Sequence, residues 1–322
     1  MTWRMARLTA ALGVALLAAG YAAPFRPAAQ GGSTSLLSQL VWFDRSGKRL
    51  GTVGPVANHG GLELSPDGGQ VAVAVLDTAK GARDLWIYNV TGNGRTRFTT
   101  TDADENWAIW SRDGRTIVFN RTRAGGGLDL FQAPATAGGM ATPLLEDGMW
   151  PVSWAPDGRH ILIVINAPRS GNDVFVLPLF GDRQPYPFAQ TQAADNWAAF
   201  SPNGRWVAYS SSETGMSEVY VAPFPPTAAG LAGKQRVSAD GGSQARWSRD
   251  GRELFYLTQD RSLMVTAVNG EGPAFQVGQV QRLFEPRFFF VDSHGFDVAP
   301  DGRILVNTLV VSPDAPSSIA RN

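Results

Sequence analysis

With no cysteine and three histidines in 322 residues, the chain has few groups for nucleophilic or metal chemistry. A thiolate nucleophile, a thiolate zinc or iron–sulfur site and a lipidated cysteine are excluded. Residues suited to recognition are more numerous, and they fall at matching distances ahead of a turn that recurs along the chain. His59, Glu105 with Asn106, Met149 with Trp150, Asp195 with Asn196, Gly242 with Ser243, and Ser293 with His294 share one such position. Two strand positions further on stand Glu63, Ile109, Ser153, Ala199, Arg246 and Asp297, where three charges interrupt an apolar or small set. If the strands that carry them converge, these polar groups beside Trp107, Trp150 and Trp197 form a place for a small ligand or a partner's peptide end. The same residues also have an architectural reading, in which acids and amides satisfy backbone groups and tryptophans pack between units. His59 and His294 are two of the ligands a divalent metal takes, which would suit a glycan-active hydrolase or lyase, but His160 falls on another strand and supplies no third. Asp102, Asp104 and Glu105 suggest a loose calcium loop, although the glycine and distal acid of an EF-hand are missing and an exposed acidic connector is the simpler reading.

No Gly-x-Ser-x-Gly elbow, paired-histidine zinc helix, phosphate loop or dinucleotide fingerprint occurs. The expectation is therefore a chain without enzymatic activity and without a cofactor. Lysine plus arginine equals aspartate plus glutamate at 28 each, so no overall field draws the chain to nucleic acid.

The elements that must position these residues are legible from an internal repeat. An apolar residue, a small residue, Pro or Arg, Asp or Asn, and Gly recur as Leu64-Ser65-Pro66-Asp67-Gly68, Trp110-Ser111-Arg112-Asp113-Gly114 and Trp154-Ala155-Pro156-Asp157-Gly158. They return as Phe200-Ser201-Pro202-Asn203-Gly204, Trp247-Ser248-Arg249-Asp250-Gly251 and Val298-Ala299-Pro300-Asp301-Gly302. Pro presets φ, Asp bonds nearby backbone and Gly accepts a positive φ, so each copy closes a β-hairpin. Two further strands follow most copies: a third, often led by an acid (Asp84, Asp129, Asp173, Glu218), and a shorter polar fourth. Four antiparallel strands per repeat make the blade of a propeller.

Six turns give six inner strand pairs, but residues 69–290 supply only five outer pairs. The missing pair lies at the other end, where Leu40–Asp44 and Leu50–Val53 flank a turn. The expectation is an all-β, six-bladed propeller closed by an N-terminal hairpin that completes the last blade, with no open sheet edge left to aggregate. The recurring acids that lead the third strands are read as scaffold, since a role repeated once per blade is structural.

The Ser-Pro-Asp-Gly-Arg hairpin followed by Asp-Leu-Trp or Glu-Val-Tyr strands resembles the TolB-like β-propeller repeat over residues 39–311. Stretches such as Leu40 to Gly54, Phe200 to Phe224 and Gly295 to Thr308 also resemble propellers found after the membrane helix of bacterial serine/threonine kinases. Arg112 and Arg249 depart from the turn Pro, Asn203 from Asp, and Gly69 from a basic residue. The α/β domain of TolB has no room before Leu40, and no kinase motif appears. The resemblance implies an exported binding module and does not carry over the cell-envelope role of TolB. The expectation for this chain is a monomeric binding or sensing module in the cell envelope, with a protein, peptide or small-ligand partner. Alternatives are the glycan-active enzyme above and a detached kinase sensor.

Arg4 and Arg7 followed by the uncharged run Leu8 to Ala23 form a signal-peptide pattern, with Gly20 and Ala22 suited to cleavage. The expected division is a leader or membrane anchor at 1–22, a linker at 23–38, the propeller at 39–311 and a tail at 312–322. Periplasmic or otherwise exported localisation follows if the leader is cleaved, and membrane anchoring if it is not.

Overall fold

A computed structural model describes residues 36–136, 138–168, 170–226, 231–289 and 293–310; the expected leader lies outside them. The described strands form six four-stranded antiparallel sheets, and every one is a blade. From inner to outer strand, blade 1 runs through His59–Leu64, Gln70–Asp77, Ala82–Asn89 and Arg95–Arg97. The inner strands of blades 2 to 5 are Glu105–Trp110, Trp150–Trp154, Asp195–Phe200 and Ser243–Trp247. Blade 6 begins with Phe296–Val298 and Ile304–Val310, and its outer two strands are Leu37–Phe43 and Arg49–Ala57 from the other end of the chain. That seam is in register, with Leu40 opposite Asn307, Val41 opposite Val306 and Trp42 opposite Leu305.

The hairpin turns form as their residues dictate. Gly68, Gly114, Gly158, Gly204, Gly251 and Gly302 all have positive φ, between 69° and 82°. In four copies a serine hydroxyl donates to the turn Asp or Asn, as from Ser65 to Asp67 at 2.6 Å, while the following N–H donates to the same side chain. These donors hold Asp67, Asp113 and Asp250 below the usual carboxylate range, chiefly through the serine hydroxyl.

Each blade's second strand is buried on both faces, which explains apolar runs such as Val71–Ala74 and Ile161–Val164 where strict alternation would be expected of a sheet with one wet face. Val71 and Val73 pack toward blade 6 beside Leu40, Trp42 and Leu305, while Ala72 and Ala74 pack toward blade 2 beside Ile117 and Phe119. Six apolar clusters result among the described residues, one at each junction between neighbouring blades. The inner-strand tryptophans bolt two of these junctions. Trp110 Nε1 donates to the Glu63 carbonyl at 3.1 Å, and Trp247 Nε1 to that of Ala199 at 3.0 Å.

The closing hairpin is seated on blade 1 at Gly54. Its φ is +67°, and a Cβ there would stand 2.3 Å from the Tyr88 ring. Gly54→Ala therefore combines a left-handed backbone with overpacking, and about 2 kcal/mol of destabilisation is expected. A thermal midpoint lowered by roughly 4–8 °C would show it; an unchanged midpoint would mean that Tyr88 yields without cost.

The acids leading the third strands are scaffold, but they bond mainly to the neighbouring fourth strand and its loops. Asp84 pairs with Arg97 and Glu218 with the Ser238 hydroxyl, while Asp173 accepts from Ser170 at 2.7 Å and from Gln190 at 3.0 Å. Asp129 pairs with Arg123.

Candidate functional site

The inner strands converge on a central channel, and its side chains fall into layers set by their distance from the turn glycine. The outermost layer is not where the sequence pattern places it. His59, Glu105 and Asp195 are fully buried and face into the blades instead of the channel mouth. His59 Nδ1 lies 3.0 Å from the Ser38 hydroxyl in the closing strand, and its ring meets Tyr88 edge-on. Glu105 accepts from Arg121 at 2.7 Å and Thr101 at 3.0 Å, and Asp195 accepts the Thr191 N–H at 2.7 Å. The physical reason is a register shift early in each of these strands, which falls between His59 and Leu62, Asn106 and Ile109, and Asn196 and Ala199. A bulge turns the residues on either side of it to different faces. These contacts are the ones the architectural reading describes, although His59 Nε2, Glu105 Oε2 and Asp195 Oδ1 have no hydrogen-bond partner among the described residues.

The next layer does converge. Trp107 and Trp197 stack with ring centroids 5.3 Å apart, Trp150 lies 5.9 Å from Trp107, and His294 meets Trp107 and Trp197 edge-on at 5.8 and 5.3 Å. Rings from blades 2, 3, 4 and 6 thus meet at the centre. The three tryptophans are half-buried, whereas His294 is buried. Asn106 and Asn196 flank them, and Asn106 Oδ1 accepts the Trp107 N–H at 3.0 Å. Trp107, Trp197 and Gln244 hold φ of 50°, 53° and 53° at equivalent positions of blades 2, 4 and 5. Left-handed non-glycine residues cost on the order of 1–3 kcal/mol each, and such strain concentrates at functional sites.

Two residues further along lies the charged layer. It lines a pocket of about 110 Å³ that opens on the side of the hairpin turns and draws residues from all six blades. Three of its members tie one blade to the next. Glu63 Oε1 accepts the Trp110 N–H at 3.4 Å, the Ser153 hydroxyl accepts the Phe200 N–H at 3.0 Å, and Asp297 Oδ2 accepts the Leu64 N–H at 2.9 Å. Arg246 faces Glu63 across the channel, with Nη2 3.6 Å from Oε2. Burial pushes the Glu63 carboxyl up to about 7, opposed by Arg246 and reinforced by Asp297. Burial also holds His294 well below the usual imidazole range, helped by Arg246, and lowers His59 to about 4.

Sequence reasoning passed over Arg112 and Arg249, which line the same pocket. Their signal was present: each replaces the proline of its turn, and a departure from a repeat marks a position released from the scaffold role. It also passed over Gln244, whose Oε1 accepts the Gly295 N–H at 3.0 Å and joins blade 5 to blade 6.

A metal held by His59 and His294 does not fit the described residues, since the two rings are engaged by different neighbours and no group of three or more His, Asp or Glu could hold an ion. The calcium reading of Asp102, Asp104 and Glu105 fails similarly. Asp104 accepts the Arg83 N–H at 2.7 Å, Glu105 is turned into its blade, and Asp102 is fully exposed.

Six blades of four antiparallel strands around a central channel define a six-bladed β-propeller. The solved structure of a putative TolB from Agrobacterium tumefaciens shares the fold, with a TM-score of 0.67 over 86% of this chain and 100% of that one, at 18% identity. No family model matches. Among curated proteins, an uncharacterized peptidase YuxL of Bacillus subtilis is 32% identical over 85 residues, covering 26% of this chain and 13% of its own. Dipeptidyl-peptidase 5 of Porphyromonas gingivalis is 35% identical over 68 residues, covering 20% of this chain and 10% of its own. The chain thus matches only about a tenth of the length of these curated relatives. Their names correct one expectation. The absence of a catalytic motif pointed to a protein without enzymatic activity, whereas the sequence relatives that share part of this chain are named as peptidases.

Proposed function

We propose that this chain is an exported recognition propeller that holds a segment of a protein or peptide partner over the channel mouth formed by Trp107, Trp150 and Trp197. The observation that carries this reading is the left-handed backbone of Trp107 and Trp197, which spends folding energy to keep two large half-buried rings stacked at the centre of the ring. Aromatic rings with asparagines beside them supply apolar area at low entropic cost and nearby hydrogen-bonding groups, the composition of a binding hot spot. The TolB-like fold and the leader pattern support a place in the cell envelope. Among the described residues no helix is long and apolar enough to cross a membrane.

The test is affinity capture from envelope extract with the mature chain and with a Trp107→Ala/Trp197→Ala variant of unchanged fold. Partners held by the native chain are expected to fall at least tenfold, or about 1.4 kcal/mol, in the variant. Equal capture by both proteins would move the site elsewhere.

A second reading rests on the peptidase names of the curated relatives: the propeller works in peptide hydrolysis, receiving the substrate. Incubating the purified chain with dipeptidyl chromogenic substrates tests it directly. Release of chromophore above a heat-denatured control supports hydrolysis by this chain; release only in the presence of captured partners assigns the chemistry to them.

A further inference from the structure

We propose that the turn-side pocket binds the C-terminal carboxylate of a peptide through Arg246, with Arg249 and Arg112 at its entrance. The pocket shares no residue with the tryptophan mouth, so either assignment can fail without the other. Its charge is lopsided: Arg112, Arg246 and Arg249 stand against Glu63 and Asp297. Asp297 is engaged by the backbone, its two oxygens accepting the Leu64 and Val298 N–H groups at 2.9 and 2.8 Å, and it cancels one of the three positive charges. Glu63, driven toward its neutral form by burial, cancels only part of the rest.

Arg246 is the group left over. It is 8% exposed, yet Nε and Nη2 lack a hydrogen-bond partner among the described residues, as does Arg249 Nε. A buried guanidinium with unmade hydrogen bonds bears a desolvation cost that an exposed one does not, and buried polar groups left unsatisfied are rare in native proteins. Nε–H and Nη2–H lie on one edge of the guanidinium and form the fork that matches a carboxylate with two parallel hydrogen bonds. Glu63 Oε2, also without a hydrogen bond and 3.6 Å from Nη2, stands beside that edge. In its protonated form it can donate to the second face of an incoming carboxylate.

Size narrows the ligand further. About 110 Å³ is less than the roughly 150 Å³ that admits benzene. It takes a carboxylate and the few atoms attached to it, not a whole peptide. The rings of Trp107, Trp150, Trp197 and His294 crowd the channel above this layer, which favours a chain entering end-first from the turn side. A peptide C-terminus is the end that carries the matching charge.

Isothermal titration with Ala-Ala-Ala, its C-terminal amide, acetate and inorganic phosphate tests the proposal. The free acid is expected to bind at least tenfold more tightly than the amide. Arg246→Gln should abolish that difference. Arg246→Lys, which keeps the charge and tests the fork without leaving Glu63 unpaired, should weaken the acid at least fivefold, its thermal midpoint confirming that it folds. Equal binding of acid and amide would overturn the proposal. So would phosphate binding more tightly than the peptide acid, or acetate binding as tightly as Ala-Ala-Ala, which would make this a site for small free anions.

Discussion

Val41→Asp is expected to eliminate the folded protein. Val41 is fully buried where the closing strand meets Val306, packed among Phe43, Phe255, Phe296 and Val298 at the junction of blades 5 and 6. An unpaired carboxylate there must either stay charged in a nonpolar site or take up a proton, and either costs several kcal/mol of a total stability on the order of 5–15 kcal/mol. Failure of closure also frees the edge of Ile304–Val310 for pairing with other chains, so loss should appear as aggregation as well as a lowered midpoint. Leu40→Ala grades the effect. It removes a fully buried side chain from the junction with blade 1 and should cost about 2–5 kcal/mol. Leu50→Asp, on the outermost strand and 47% exposed, is the control and should change stability by no more than about 0.5 kcal/mol. Thermal unfolding and size-exclusion profiles of the three read the result, and a Val41→Asp protein that melts like Leu50→Asp would show that the seam carries little stability.

The second large effect is in the pH dependence of stability, where buried groups oppose one another. Glu63 binds its proton more tightly in the folded state, since its value rises from 4.5 to about 7. Stability from this group is therefore fully present below pH 4.5 and is lost as pH rises to 7, by about 3 kcal/mol. His59 acts in the reverse sense. Its value falls from 6.5 to about 4, so the unfolded chain binds the extra proton over that window and stability grows as pH rises through it. His294 is shifted the same way. Asp195, also raised by burial, acts in the same sense as Glu63. The two histidines offset these two acids, and the native protein should gain stability only modestly from pH 4 to 6.5 and lose a little between 6.5 and 7. The depressed turn aspartates add an acid-side loss only below the ordinary carboxylate range. Glu63→Gln removes the opposing slope. Its stability should climb more steeply across pH 4.5–6.5 and show no dip near 7. Loss of the 3.6 Å pair with Arg246 takes back part of the absolute gain, so slope is the diagnostic quantity. Urea midpoints at half-unit steps from pH 4.5 to 8 would reveal it, and parallel native and variant curves would place the Glu63 proton elsewhere.

Repetition made the architecture legible. Six turns with glycine at a required positive φ, and a strand count short by one pair that the N-terminal hairpin could fill, left one closed arrangement. The candidate site was legible in part. Trp107, Trp150, Trp197 and His294 do meet, and Glu63, Arg246 and Asp297 do share a layer. The failures have one cause. His59, Glu105 and Asp195 sit next to bulges, and a one-residue slip in a strand moves a side chain to the other face.

Local chemistry, then, determined the hairpins, the blade count and the partner of the closing strand, because turn preference and apolar patterning act over a few residues and repeat. Which side chains point into the channel, which donors remain unmade at Arg246 and how far burial lifts Glu63 were decided only when six strands, distant in the chain, were brought around one axis. Those properties depend on water excluded by neighbours from other blades, and no single repeat contains them.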